Sequence, residues 1–216
     1  MKSVAILGGK GGTTKTATSH LLCLGADLQG LPACYVLTDP QRKVRGEGRP
    51  YAVLDGRLPE QLALIFSSRD ANLNGWLIVD GGGNRPEFDR KIAENVDLTI
   101  IPFRASEEDI DTVAQSLSSL PNSLAWPSAW PTNAFAINSA RYLVDGLGEA
   151  FPQRIIEPPI PFVNSISDLL ALTLVVPSTV VRATARKAFQ TLSNYYSGRR
   201  HLLENAQRQP KQAGHG

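Results

Sequence analysis

Lysine, threonine and aspartate side chains follow short apolar runs at three places along the chain. The first is the glycine-rich stretch Gly8–Thr16, which follows Val4–Leu7 and ends in Lys15 and Thr16. Glycines let backbone N–H groups turn inward around an anion, a lysine neutralises phosphate charge, and a threonine hydroxyl ligates Mg²⁺. Because apolar residues recur at helical spacing across Ala17–Leu28, the sequence predicts a phosphate-binding loop between a strand and a helix.

The pattern G-x-x-x-x-G-K-[ST] is matched from Gly9 except at its last glycine, where Thr14 stands. A residue with a Cβ fits there only if the backbone conformation is not one that glycine alone tolerates, so the motif is matched strongly but imperfectly. The alternative is a glycine-rich turn, which does not need a Lys-Thr pair at the helix start. The expected nucleotide contacts in this loop are Gly9, Lys10, Gly11, Gly12, Thr13, Thr14, Lys15, Thr16 and Ala17.

Two aspartates mark the other two places. Asp39 comes shortly after the apolar run Ala33–Leu37, and Asp80 ends the run Trp76–Asp80. Acids at the carboxyl ends of parallel strands face the ligand crevice of an open α/β sheet. Gly81–Gly83 would let the backbone approach a terminal phosphate and move when that phosphate leaves. The alternatives are an ordinary Asp-Pro turn at Asp39 and an ordinary Asp-Gly turn at Asp80.

Lys10 adds a feature that phosphate binding does not require. With it, Lys10–Thr16 resembles the deviant P-loop of the ParA/MinD family of ATPases, written K-G-G-x-x-K-[ST]. Asp39–Gln41 resembles switch I of this family, typically D-x-D-P-Q, although Leu37 replaces the first aspartate. The run Val79–Gly83 is most similar to the small ParF-like plasmid partition ATPases.

The resemblance implies a protein that binds ATP and Mg²⁺ and hydrolyses the ATP. Lys10 would reach across a homodimer to the partner's nucleotide, so dimerisation would depend on bound ATP. Lys10, Lys15 and Asp39 would be the catalytic residues, with Asp39 orienting the attacking water. Thr16, Asp39 and Asp80 would serve the metal, Asp80 through its water shell. Hydrolysis would be weak alone and stimulated by a centromere-binding adaptor protein.

Two later segments extend the resemblance. Ala134–Asn138 is predicted to be a strand whose terminal Asn138 contacts the adenine ring, although asparagine is also a common strand terminator. Ile155–Pro161 resembles the last strand of the family, with Pro161 against the base.

Trp126–Pro131 is predicted to be a rigid aromatic connector packed onto the core.

The formal net charge of +2 does not indicate nucleic-acid binding, so any affinity for DNA requires a local basic patch. Arg182, Arg186 and Lys187 fall away from the apolar stripe of a late helix, where family members bind DNA without sequence preference. The alternative is a solvated helix face. The loop Arg42–Arg49 carries four basic residues in eight, which could contact phosphate, and a solvated loop is the favoured interpretation.

The chain has 216 residues, of which 42% are hydrophobic, enough for one core. Alternating strands and helices predict an α/β fold with a doubly wound, mostly parallel sheet flanked by helices, the three-layer Rossmann-like arrangement of P-loop NTPases. One domain over residues 1–197 and a flexible tail over 198–216 are expected, and the tail lacks the apolar face of a membrane anchor. A short N-terminal apolar run and the unpaired Cys23 and Cys34 predict a cytoplasmic protein. The family resemblance implies that it associates with the nucleoid.

Three functions fit these motifs. The first is an ATPase for DNA partition that binds non-specific DNA and no membrane. The second is a nucleotide-binding regulator or scaffold with little hydrolysis, which Thr14 and Leu37 favour. The third is an ATP-dependent amide or carboxylate ligase, although such enzymes normally carry a further substrate domain. Cys23 and Cys34 are not placed to share an iron–sulfur cluster at a dimer axis, which excludes the nitrogenase-like members.

Overall fold

A six-stranded sheet is the centre of the molecule. The computed structural model describes residues 1–9, 12, 14–69, 74–83, 85–120, 122–171 and 176–208, with residues 199–208 as backbone only. The strands, in chain order, are β1 (Lys2–Ile6), β2 (Ala33–Leu37), β3 (Ala52–Asp55), β4 (Trp76–Asp80), β5 (Leu98–Phe103) and β6 (Ser123–Pro127). They lie in the order β3-β2-β4-β1-β5-β6, and every pair is parallel.

Helices connect most of these strands and cover the sheet. They are α1 (Lys15–Asp27), α2 (Pro59–Ser68), α3 (Pro86–Glu94), α4 (Glu107–Ser119), α5 (Ala134–Ala150) and α6 (Thr179–Arg208), with a 3₁₀ helix over Asn164–Leu170. The prediction of an α/β fold with a parallel, doubly wound sheet is confirmed, and the sheet is entirely parallel.

The register of the central strands brings the predicted site residues to one edge of the sheet. Ile6 at the end of β1 pairs with Asp80 at the end of β4, and Asp80 pairs with Leu37 at the end of β2. All residues of β4 are buried, as expected for a strand covered on both faces. The loops after β1, β2 and β4 therefore leave the sheet side by side, where ligands bind in open α/β folds.

The prediction of a strand over Ala134–Asn138 is wrong. These residues form the first turns of α5, and the Asn133 side chain caps the helix by accepting a hydrogen bond from the Ala136 N–H. The apolar residues Ala140, Val144 and Leu147 continue the segment at helical spacing and are buried. Five residues considered alone do not contain that period, which is why the segment resembles a strand.

The predicted connector Trp126–Pro131 contains the end of a strand instead. Pro127 is the last residue of β6, a position where a missing N–H does not interrupt the sheet. Trp126 is fully buried, as predicted, and its indole N–H donates to the Pro158 carbonyl. The predicted last strand, Ile155–Pro161, does not form a strand of the sheet in the described structure and meets this edge through isolated bridges between Ala125 and Ile155 and between Trp130 and Pro161.

Helix α6 packs along α1 and continues past the predicted domain boundary. The predicted tail begins at Gly198, whereas α6 runs without a break to Arg208, because one glycine costs a helix only about 1 kcal/mol. Residues 209–216 of that tail lie outside the described residues. Within the described residues, no helix is long and apolar enough to cross a membrane.

Candidate nucleotide-binding site

The glycine-rich loop joins β1 to α1 and borders a cleft of about 310 Å³. Lys10, Gly11 and Thr13 lie outside the described residues, and Gly9 is exposed at the start of the loop. The cleft brings the loop together with the segments after β2, β4 and β5 and with the 3₁₀ helix. Its lining residues are Gly12, Thr14, Lys15, Thr16, Ala17, Asp39, Arg42, Gly81, Gly83, Arg104, Ile166, Ser167 and Leu170.

Lys15 is the first residue of α1 and is held inside the loop. Its side chain is only 7% exposed, and its ammonium donates to the Gly8 carbonyl at 3.2 Å. Burial lowers the pKa of Lys15, and the carboxylates of Asp80, Asp89 and Asp39, in that order, oppose this effect. Placed at the helix N-terminus, this ammonium is suited to bind the phosphate of an anionic ligand.

Thr14 has a left-handed backbone, with φ of 63°, at the position where the usual pattern has glycine. This region favours glycine, and a β-branched side chain there is strained. The hydroxyls of Thr14 and Ser128 are hydrogen-bonded to each other, and Ser128 also donates to the Phe103 carbonyl at 3.0 Å. The bond between Thr14 and Ser128 fixes the loop to the end of β6 and helps to hold the strained residue.

Asp80 is fully buried and is hydrogen-bonded to Thr16, which lines the cleft. It accepts hydrogen bonds from three hydroxyls, those of Thr16, of Ser19 at 3.2 Å and of Tyr35 at 2.5 Å. Burial raises the pKa of Asp80, and these hydrogen bonds oppose that rise. A carboxylate with this many donors is held in one orientation, as a residue that orders a metal's water shell must be.

Asp39 lines the cleft opposite the loop. Its carboxylate accepts from the Gln41 N–H at 2.9 Å and lies 3.9 Å from the Arg42 guanidinium. A Cβ on Gly82 would lie 3.6 Å from the Asp39 Cα, so the segments after β2 and β4 are in contact. Arg85 joins them further by donating to the Thr38 carbonyl at 2.9 Å.

The residues predicted to bind the adenine ring are not brought to the cleft. Asn138 is exposed on α5, which removes the basis for placing it at the base. Pro161 lines a separate apolar groove of about 370 Å³ between Pro158–Pro161 and α6, and is not among the cleft-lining residues of the described part of the chain.

The basic residues of α6 are exposed, as the sequence predicts, but they do not share one face. Arg182 and Arg186 lie one turn apart on the same side of the helix. Lys187 is rotated from Arg186 by about 100° and lines the apolar groove beside Pro161.

Sequence reasoning missed a third carboxylate near Lys15. Asp89 lies on the first turns of α3, is 7% exposed, and its Oδ1 has no hydrogen-bond partner among the described residues. Burial raises the pKa of Asp89 to about 6, while Lys15 and Arg85 act to lower it. The signal in the sequence was an acid at position 89, three residues before the buried Ile92 on the same helix face.

Replacing Asp89 with asparagine is expected to stabilise the protein, and more so at neutral than at acidic pH. The folded protein binds a proton at Asp89 between pH 3.8 and about 6, so the stability of the wild type falls as the pH rises through that window. The free energy of unfolding in urea should be higher for Asp89→Asn than for the wild type. This difference should be about 2–3 kcal/mol larger at pH 7 than at pH 4. The exposed Asp145→Asn is the control, and identical pH profiles for Asp89→Asn and the wild type would contradict the assignment.

The residues around Asp80 fit a magnesium ion better than a transition metal. The described residues contain no group of three or more His, Cys, Asp or Glu side chains arranged around a common point. Mg²⁺ requires few protein ligands, prefers oxygen, and keeps several waters. The Thr16 hydroxyl and the Asp39 carboxylate at the cleft, with Asp80 behind them, supply oxygen ligands of this kind.

Solved structures with the same fold are known, although no protein-family model and no curated protein matches the sequence. A proposed plasmid partition protein of Borrelia burgdorferi bound to AMPPNP gives a TM-score of 0.68 at 9% identity, over 90% of this chain and 99% of that one. For cobyrinic acid a,c-diamide synthase of Mycobacterium smegmatis with ADP and magnesium, the TM-score is 0.67 at 16% identity, over 92% of this chain and 96% of that one. For pNOB8 ParA bound to nonspecific DNA, the TM-score is 0.60 at 14% identity, over 89% of this chain and 99% of that one.

The chain therefore has the fold of the ParA-type P-loop ATPases along nearly its whole length. This agrees with the ParA/MinD resemblance of the motifs around Lys15, Asp39 and Asp80. At these identities the similarity establishes the fold alone, and function depends on the site.

Proposed function

We propose that the protein is an ATP-dependent DNA partition ATPase, which dimerises on ATP and hydrolyses it to ADP and phosphate. The observation that carries the proposal is the arrangement at the cleft. Lys15 and Thr16 begin a helix at the phosphate loop, Asp80 hydrogen-bonds to Thr16, and Asp39 lines the opposite wall. The solved structures with this fold include proteins bound to AMPPNP and to ADP with magnesium.

In this proposal ATP lies in the cleft with its phosphates against the loop. Lys15 and the N–H groups at the start of α1 bind the phosphate oxygens and stabilise charge that develops during transfer. Thr16 and Asp39 would hold Mg²⁺, with Asp80 supporting its water shell, and the ion would supply neutralisation of phosphate charge. Asp39 would orient the attacking water once the Arg42 contact opens.

DNA binding is proposed for the exposed basic residues of α6. Arg182, Arg186 and Lys187 face solvent, and α6 carries no acidic residue between Thr179 and Arg200 to neutralise them. A solved structure with this fold is a ParA bound to nonspecific DNA. Such binding neutralises phosphates without reading bases and is therefore expected to weaken steeply with salt. A centromere-binding adaptor completes the proposal and follows from the motif resemblance alone.

Replacing Lys10 with alanine is expected to abolish ATP-dependent dimerisation. The mass of the wild type and of Lys10→Ala is measured by light scattering with ADP and with AMPPNP, followed by a DNA shift assay at moderate salt. A dimer that forms only with AMPPNP, requires Lys10 and binds DNA without sequence preference supports partition.

If the mass and the DNA affinity are the same with ADP and with AMPPNP, the proposal that ATP controls dimerisation and DNA binding is wrong. A nucleotide-binding regulator with little hydrolysis is then the better assignment. The observation that favours it is the Asp39 carboxylate, which is engaged by Gln41 and Arg42 in the present conformation.

A further inference from the structure

Tyr35 is a buried residue that none of the predicted motifs includes. It lies on β2 and is fully buried, and its hydroxyl donates to Asp80 Oδ2 at 2.5 Å. That distance is typical of a strong hydrogen bond from a hydroxyl to a carboxylate. Of the three hydroxyls that reach Asp80, only this one comes from the neighbouring strand, because Thr16 and Ser19 both belong to α1.

The ring of Tyr35 is itself fixed by a second buried aromatic residue. The His20 imidazole stacks on it with 4.1 Å between ring centroids and 8° between the ring planes. His20 is 1% exposed, and its Nδ1 lies 2.8 Å from the Tyr51 hydroxyl. Burial lowers the pKa of His20 to about 3, so the stacked ring is neutral at physiological pH.

Arg49 continues this set of contacts to the wall of the cleft. Its guanidinium donates to the Tyr51 hydroxyl at 3.0 Å, and to the Leu169 and Ala171 carbonyls at 2.9 and 3.3 Å. The Tyr51 hydroxyl thus links Arg49 to His20 Nδ1, with the direction of the second hydrogen bond set by the His20 tautomer. Leu169 belongs to the 3₁₀ helix, whose Ile166, Ser167 and Leu170 line the cleft.

We propose that Tyr35 is a positioning residue for Asp80, which it holds in the orientation needed for the magnesium site, and that His20, Tyr51 and Arg49 hold Tyr35 in place. The proposal rests on the proposed function, since it concerns the same ATP and Mg²⁺ site.

Tyr35 makes a short hydrogen bond to Asp80 from a rigid side chain. A threonine that ligates Mg²⁺ does so through an oxygen lone pair, so the Thr16 proton remains available to Asp80 when the metal is bound. The Ser19 hydroxyl lies 3.2 Å from Asp80 and 3.0 Å from the Lys15 carbonyl, so its single proton is shared between these two acceptors. The Tyr35 hydroxyl lies 2.5 Å from Asp80 on a ring that stacks on His20, so we expect Tyr35 to contribute strongly to fixing the Asp80 carboxylate. Outer partners of this kind typically contribute ten- to a hundredfold to metal affinity.

The test is the Mg²⁺ requirement of nucleotide binding in Tyr35→Phe. This change removes one hydroxyl and keeps the ring that stacks on His20. The affinity for AMPPNP is measured calorimetrically at a series of free Mg²⁺ concentrations and in EDTA, together with the thermal unfolding midpoint. The matched control is Tyr142→Phe, since Tyr142 is 81% exposed on α5. Tyr51→Phe tests the support of the His20 ring.

Tyr35→Phe is expected to raise about tenfold the Mg²⁺ concentration at which the enhancement of AMPPNP affinity is half-maximal. The affinity for AMPPNP in EDTA should be unchanged. Tyr51→Phe should move it in the same direction by less, and Tyr142→Phe should not move it. A Tyr35→Phe curve that superimposes on the wild type overturns the proposal, as does an equal loss of affinity in EDTA, which would indicate general damage to the cleft. If the wild type binds AMPPNP neither with nor without Mg²⁺, the proposed function itself is wrong.

Discussion

Replacing Lys15 with alanine is expected to lower the rate of ATP hydrolysis at least about a hundredfold, the usual cost of losing one donor that stabilises transition-state charge. Lys15 is buried in the phosphate loop, and its ammonium lies beside the Gly8 carbonyl at the start of that loop. Phosphoryl transfer depends almost entirely on positioning and charge stabilisation, so losing this buried ammonium should slow the chemical step directly. The measurement is phosphate release under single-turnover and steady-state conditions.

The controls for Lys15→Ala separate lost chemistry from lost folding. Lys91 is an exposed lysine on α3, and Lys91→Ala should hydrolyse ATP at the wild-type rate. Burial already disfavours the charged form of Lys15, so removing its ammonium should leave the unfolding midpoint unchanged or higher. A folded Lys15→Ala protein with wild-type turnover would show that the cleft is not the ATPase site.

Replacing Gly25 with alanine is expected to destabilise the protein by about 2–3 kcal/mol, at the upper end of the range for overpacking a core. A Cβ on Gly25 would lie 2.2 Å from the Ala185 carbonyl oxygen and 2.5 Å from the Phe189 Cβ. Neither atom moves by side-chain rotation, so α1 and α6 must separate. The unfolding midpoint should fall by roughly 5–10 °C in a scan by circular dichroism.

Gly146→Ala is the matched comparison for Gly25→Ala, since both glycines lie within helices. A Cβ on Gly146 would meet no atom within 4 Å. The alanine should therefore stabilise α5 by about 0.5–1 kcal/mol through helix propensity alone. If Gly25→Ala matched Gly146→Ala instead, the close contact between α1 and α6 would not be part of the folded state.

The motifs that depend on local spacing are predictable from the sequence. Residues 33–37 and 76–80 form the predicted strands, because continuous apolar runs followed by Asp39 or by Asp80 and glycines have few other interpretations. Parallel pairing then places both acids beside Lys15. The fold class and the centre of the site follow from these few segments.

Features that depend on tertiary contacts are not predictable in the same way. The left-handed Thr14 is held partly by Ser128, which is 114 residues away in sequence. Ala134–Asn138 is a helix because of apolar residues beyond its own limits. The hydrogen bond from Tyr35 to Asp80 joins residues whose types alone indicate only an apolar strand.

The two ends of α1 belong to different surfaces of the protein. Its thirteen residues span about 20 Å, from Lys15 at the cleft to Gln29 just beyond its last turn, where the Gln29 amide donates to the Arg186 carbonyl at 3.2 Å. At Gly25 the two helices are in direct contact, so we expect a tilt of α1 to shift the adjoining part of α6. A rotation of about 5° at the Lys15 end would displace the far end by nearly 2 Å, by simple proportion over that length. The length of α1 thus connects the phosphate loop to the part of α6 that carries Arg186.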